Sequence, residues 1–544
     1  VPPGLDDGPR ACDNARAVTR TLRALATVAV LAALAGPAAA STMVVAAEHD
    51  PDSLDPARAY GHDSWQVLAN CGEGLMAYRR ARGQAGSEVV PGLAAGMPEL
   101  SDGGRRLVFR LRAGARFGPP EERPVRPSDV KTSIERIFLA RSPGRALYRD
   151  IQGAALFERT RLGGISGVIA RDEDGEVELR MTRADPAILS VLALPFAFVV
   201  PSGTSASADG VGVATAGPYR VASYRPGREI DLDRNAAYTP GAAGGGMGGP
   251  DRIVVRLGVR ASDAVREIAA GRADYDLDRA SPDLIRSARA AGLRLHRHAD
   301  GATYYLYMNT RRAPFDDLRV RRAVNLALDR EALARAFAGQ AAPTAQVLPS
   351  SVPGFRPGAT VPAPDLAAAK RLVGRAGARG ARVTVWASTT EPAPTVVRAA
   401  ARTLEAIGLR STVRLWDRRE LLDTLADPDA PSQIGYARWQ QDFPDGADWY
   451  RLLLAGDGIR EGRNLNYALL DDPAVNRLIA RAAATWDPDA RAARWAEVER
   501  AVEARAPWAP FATGVRTDVV SSRVRGYVAH PLYGFLWMRA RIRD

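Results

Sequence analysis

Residues 382–416 restrict the possible folds more than any other stretch of this chain. "RVTVWAS" is followed by "PTVVRAAARTLEAIG" and then by "LRSTVRLW". Two β-branched runs flank a helical period that opens on Pro394 and stops at Gly408, the arrangement favoured at helix starts and ends. This is a βαβ unit, so its strands should be parallel and its crossover right-handed. The second half of the chain is therefore expected to carry a parallel α/β sheet. The strand that follows, "IGYARW", leads into "ARWQQDFPDGADWY" (437–450), which crowds Trp439, Phe443, Trp449 and Tyr450 around Asp442, Asp445 and Asp448. Pro444 and Gly446 break regular structure there, so a ring-rich turn hangs from a strand end, where open α/β sheets bind their ligands.

The first half reads differently. "RRLVFRLR" (105–112) places Leu107, Phe109 and Leu111 in alternation with its arginines, and "EVELRMT" repeats the pattern with Val177, Leu179 and Met181, as half-buried strands do. "YRVASY", "EIDLD" and "RIVVRLG" add strands, with a helix over 127–139 as the main interruption and a Gly-rich surface loop at 239–250. "DDLRVRRAVNLALDREALARAF" is expected to form one helix capped by Asp316 or Asp317. Two helices are expected between about 472 and 505. At 544 residues the chain is too long for a single compact core.

A charge of +12 would ordinarily suggest nucleic acid, but the basic residues are nearly all Arg, evenly spread, with Lys131 and Lys370 the only lysines. That pattern reflects composition more than a binding patch, and no nucleic acid partner is expected. Residues 24–36, "ALATVAVLAALAG", follow Arg16, Arg20 and Arg23, and Ala38 and Ala40 fit a small-residue cleavage site. Residues 1–40 are thus expected to be a secretory signal, with the true start at Val18, where "VTRTLR" opens a cleaner basic region. Cys12 would leave with the signal, so Cys71 stands alone and no internal disulfide is expected.

Catalytic signatures are missing. There is no G-x-S-x-G elbow, H-E-x-x-H or P-loop, and "SDVK" (128–131) lacks the other elements of serine acylases, so Ser128 is read as a helix cap. His296 and His298 in "LHRH" share a strand face, but two ligands do not complete a metal site. The chain is expected not to be an enzyme and to need no cofactor and no metal.

Six blocks in fixed order resemble one family: "DPDSLDPARAY…CGEGLMAY", "VVPGLAAGMPELSDGGRRLVFRLRAGARF", "PVRPSDVKTSIERI", "TAGPYRVASYRPGREIDLDRNAAY", "YYLYMNTRRAPFDDLRVRRAVNLALDREAL" and "RWQQDFPDGADWY". They are similar to the extracytoplasmic solute-binding proteins of family 5, the oligopeptide-, dipeptide- and nickel-binding receptors of ABC importers. The resemblance implies a two-lobed α/β periplasmic-binding-protein fold of the large peptide-binding class with an extra domain in the first lobe. It divides the chain into lobe I (41–85, 206–303 and 512–544), an additional domain (86–205) and lobe II (304–511). It further implies a monomer outside the cytoplasm that encloses a peptide or peptide-like solute between its lobes and hands it to a membrane permease and its ATPase. A nickel chelate or other small polar solute is the alternative cargo, and a secreted hydrolase the alternative class.

By the same resemblance Asp442, three residues after Trp439, pairs with a peptide α-ammonium. Trp439, Phe443, Tyr60 and Trp65 are expected to line the cleft, whereas Trp449 and Tyr450 are expected in the core; by their charge alone, Arg438 and Arg145 are candidates to meet a ligand carboxylate. Two departures stand out: Gly446 where relatives often carry Pro, and the missing cysteine pair of some peptide receptors.

Overall fold

The computed structural model describes residues 40–543 apart from 208, 246, 247 and 463. The expected signal and start site therefore lie outside the described residues. From Thr42 onward the chain forms one compact unit.

Eleven strands make the principal sheet: β1 (Thr42–Ala46), β2 (Tyr219–Arg225), β3 (Glu229–Arg234), β4 (Arg252–Arg256), β5 (Tyr275–Asp276), β6 (Arg294–Met308), β7 (Ala341–Pro343), β8 (Arg382–Ser388), β9 (Arg410–Trp416), β10 (Ile434–Gln440) and β11 (Trp508–Val520). Their order is β9-β8-β10-β6-β11-β5-β1-β4-β3-β2, with β7 added on β11. The long antiparallel strands β6 and β11 join two regions. Of β6, only Ala302–Met308 pairs with β10, whereas β5 meets β11 at Val520. The β6–β11 register shifts between Ala299 and Thr303, where Gly301 takes a φ of 71°, so the connection is irregular midway.

The βαβ unit forms as expected. β8 and β9 are parallel, and the helix Ala393–Ala406 between them buries Val396, Val397, Ala400 and Leu404, with Gly408 at a φ of 99° beyond its end. The expectation of a parallel sheet holds only for β8, β9 and β10, because β10 meets β6 antiparallel. β6 and β11 carry the chain into and out of this region in opposite directions, so a mixed sheet follows.

Two local expectations fail for capping reasons. The single helix expected after Asp316 is two, Leu318–Ala327 and Arg330–Arg335. Asp317 caps the first, and the Asp329 carboxylate takes the Ala332 N–H at 2.8 Å, so a side-chain cap replaces continued helix. Ser128 is not a cap either. The helix Pro127–Leu139 is capped at Arg126, whose N–H donates to Asp129, and the Ser128 hydroxyl donates to Asp172 at 2.8 Å.

A separate antiparallel sheet orders Glu99–Ser101, Arg106–Arg110, Glu176–Arg180 and Val168–Arg171. Leu107, Phe109, Val177 and Leu179 are buried as the alternation requires, and Val108 is buried too. Cys71 is free and buried. Among the described residues no helix is long and apolar enough to cross a membrane.

Candidate ligand-binding site

β10 ends at Gln440 and a helix, Ala447–Leu453, begins seven residues later, so the irregular part of the ring-rich segment is only 441–446. Gly446 permits this tight passage: a Cβ there would come within 2.5 Å of the Trp495 ring. The departure from Pro is thus explained by a large side chain seated against the turn.

The three aspartates have separate tasks. Asp445 is buried in a two-point pair with Arg491, at 2.7 and 2.8 Å. Asp448 is fully buried; its Oδ2 accepts the Trp439 indole N–H at 3.1 Å and the Asp442 backbone N–H at 3.0 Å. Its Oδ1 has no hydrogen-bond partner. Asp442 is half-buried and accepts the Tyr60 hydroxyl at 2.7 Å from the other end of the chain. It forms no ion pair among the described residues.

Burial raises the Asp442 carboxyl above its usual range, against the Tyr60 hydrogen bond, which lowers it. Burial raises Asp448 much further, and the charge of Asp442 adds to that. Two neighbouring carboxyls cannot both ionise cheaply in a dry setting. The geometry leaves the negative charge on Asp442, whose oxygens face a cavity and the Tyr60 hydroxyl.

That cavity has a volume of about 530 Å³ and is lined by Tyr60, Trp65, Arg279, Asp300, Arg438 and Asp442, with His62, His298 and His530 also on its border. Tyr60, half exposed at 50%, stacks on Phe196 at 6.1 Å and meets Trp65 edge-on at 6.1 Å. Trp65 is buried and donates its indole N–H to the Ala59 carbonyl at 3.0 Å, so it forms a fixed wall. Arg438 is exposed, its guanidinium 5.7 Å from the centre of the Tyr304 ring.

The sequence-derived residues do not all share one space. Tyr60, Trp65, Arg438 and Asp442 line the same cavity. Trp439 faces a second space of about 630 Å³, with Tyr304, Tyr305, Tyr436 and Tyr467, which shares Arg279 and Arg438 with the first. Phe443 is buried and borders a third, of about 610 Å³, beside Arg149, Asp185 and Arg451. Trp449 and Tyr450 are wholly buried, as expected of core residues. Phe196, Arg279, Asp300, His62 and His530 went unrecognised, and His298 was weighed only as a metal ligand. Phe196 sits in the apolar run "LPFAFVV", which reads as core, and no local signal marks the others.

His296 and His298 do not form a metal site. His296 stacks on Tyr527 at 3.9 Å, His298 meets Asp518 at 3.3 Å, and no metal-sized cluster of His, Cys, Asp or Glu occurs among the described residues.

The fold and sequence are similar to known binding proteins. The chain is 22% identical over 521 residues to "Probable di/tripeptide-binding protein 5" of Pseudomonas aeruginosa, covering 92% of this chain and 95% of that one. It is 23% identical over 467 residues to "Heme-binding protein A" of Haemophilus influenzae, covering 82% of each. Among solved structures, "Clavulanic acid biosynthesis oligopeptide binding protein 2" superposes with a TM-score of 0.81 at 26% identity, covering 93% of this chain and 97% of that one. The fold is thus the two-lobed α/β fold of periplasmic binding proteins. With the description "Bacterial extracellular solute-binding proteins, family 5 Middle" matching residues 88–461, the chain belongs to family 5 of the bacterial extracellular solute-binding proteins.

Proposed function

We propose that this protein is the substrate-binding component of an ABC importer, taking up peptides with a free α-amino group. Asp442 receives the α-ammonium, and Tyr60 and Trp65 wall the cavity around it. The observation that carries this reading is a half-buried carboxylate with no cationic partner among the described residues, bordering a space of about 530 Å³ and held by the Tyr60 hydroxyl. A charge-assisted hydrogen bond in such a ring-walled space is stronger than the same contact in water. Arg438, exposed and on the border of two adjoining spaces, is positioned to meet a carboxylate further along the peptide.

The peptide-binding names of several relatives support the cargo class. Lobe I comprises 41–85, 206–303 and 512–544, the additional domain 86–205, and lobe II 304–511. The chain is exported by the signal in residues 1–40, acts outside the cytoplasm as a monomer, and delivers its load to a permease driven by a separate ATPase. It catalyses nothing.

Calorimetric titration with a short peptide and with its N-acetylated form tests the assignment. The free-amine peptide should bind, and Asp442→Asn should weaken it about tenfold or more, given ~1.5–3 kcal/mol for a charged hydrogen bond. The acetylated peptide should bind weakly to both proteins. Equal affinity of the variant and parent for the free-amine peptide would remove Asp442 from the site, and release of a metal chelate or a single metabolite from the native protein would replace peptide as the cargo.

A further inference from the structure

We propose that the additional domain carries a docking patch for an anionic lipid surface, made of Leu139, Leu156 and Leu162 with Lys131, Arg141, Arg159 and Arg161. The three leucines are 40%, 57% and 77% exposed, a third of the large apolar side chains found exposed in the described residues. Scattered single leucines on a surface need no explanation, but these three are neighbours. The Thr160 hydroxyl donates to the Leu156 carbonyl at 3.0 Å and accepts the Leu162 N–H at 3.3 Å, which ties the two together. Arg161, in the left-handed region at a φ of 60°, donates to the Phe138 carbonyl, one residue before Leu139. Ile165 N–H reaches Glu135 on the same helix at 2.9 Å. The turn 161–165 thus lies against the end of the helix Pro127–Leu139, with Leu162 at its tip.

Basic residues outnumber acids around these leucines. The side chains of Lys131, Arg141 and Arg159 make no hydrogen bond or ion pair among the described residues. Of the nearby acids, Glu158 is already taken by Arg145 and Arg149, at 3.0 and 2.7 Å, and Glu135 is occupied by the Ile165 N–H. What remains is three unpaired cations, Lys131, Arg141 and Arg159, beside the exposed leucines, with Glu135 the one nearby acid that has no ion pair among the described residues.

That combination fits a lipid surface better than a protein. A bilayer interface accepts apolar tips in any register, and anionic headgroups satisfy unpaired Lys and Arg. The attachment would be weak and reversible, holding the receptor near a membrane. It is independent of the ligand assignment.

Co-sedimentation of the full exported chain with vesicles tests this. Vesicles containing phosphatidylglycerol should retain more protein than pure phosphatidylcholine, by about fivefold or more at low salt given the attraction of several basic residues, and high salt should abolish the difference. The paired variants Leu156→Ser with Leu162→Ser, and Arg141→Glu with Arg159→Glu, should each lose the retention while keeping the melting temperature and peptide affinity of the parent. Equal retention on the two vesicle types, or retention unaffected by both pairs of substitutions, would overturn the proposal. So would a dimer in solution that the leucine substitutions dissolve, since a second copy would then be the occupant.

Discussion

Asp442 and Glu499 are both acids whose protonation is set by where they sit, but with opposite consequences. Asp442 must be charged to hold an ammonium, and burial lifts its carboxyl above the usual range. Peptide affinity should therefore fall with acidification, beginning at a higher pH than the ~3.9 of a free aspartate would give. Titration calorimetry across that range checks it; affinity flat down to the ordinary aspartate value would mean the carboxyl is not raised. Glu499 is fully buried and pushed up to about 7, chiefly by burial, while it accepts the Val347 N–H at 2.8 Å, the Leu348 N–H at 3.3 Å and the Tyr450 hydroxyl. Its folded value lies above the ~4.3 of an unfolded glutamate. Its contribution to stability is thus fully present below the unfolded value and is lost as pH rises through about 7. Denaturant melts of Glu499→Gln should show a flatter decline of stability with pH over this window than the parent. A parallel decline in both proteins would place the proton elsewhere.

At the scale of elements, the segment 434–453 shows what the sequence made legible and what it did not. The strand and the turn were readable from period and punctuation, as was the burial of Trp449 and Tyr450, whereas the Asp442–Trp439 spacing drew its meaning from the family resemblance. The separate tasks of the three aspartates were not, because Arg491, Tyr60 and the Asp448 pocket come from distant parts of the chain. Phe443 illustrates the same limit: its neighbours in sequence face one cavity, while the turn at Pro444 directs it to another. The break at Asp329 was missed because a helical apolar stripe continues across it and only the capping bond interrupts the backbone. Asp445 is the residue that fastens this element. It neutralises Arg491, which also reaches the carbonyls of Ala482 and Ala483 at 3.0 and 2.7 Å. Asp445→Ala would leave a buried guanidinium without its counter-charge, and thermal unfolding should report a loss of roughly 3–5 kcal/mol. A change within the error of the measurement would show that Arg491 is satisfied by its carbonyls alone.

At the scale of the molecule, two of the contacts between the regions on either side of β6 and β11 differ in how a ligand would affect them. Tyr60 reaches Asp442 at the cavity, and Arg451, on the helix after the turn, pairs with Asp185 at 2.5 Å, with Asp150 at 4.0 Å beyond it. The first contact would be remade by a bound ammonium, whereas the second involves no ligand. If the Arg451–Asp185 pair clasps these regions together, with the irregular strand connection at Ala299–Thr303 as the flexing point, its loss should be felt when peptide leaves. Both partners are largely buried but reachable by solvent, so screening limits the pair to about 1 kcal/mol, or roughly a fivefold change in rate. Arg451→Ala should accordingly speed peptide dissociation by up to that factor while leaving association nearly unchanged, because encounter occurs before the clasp forms. Stopped-flow measurements separate the two rates. If association slowed while dissociation held, the pair would be shaping the open entrance instead, and the flexing would have to be sought away from the β6–β11 connection.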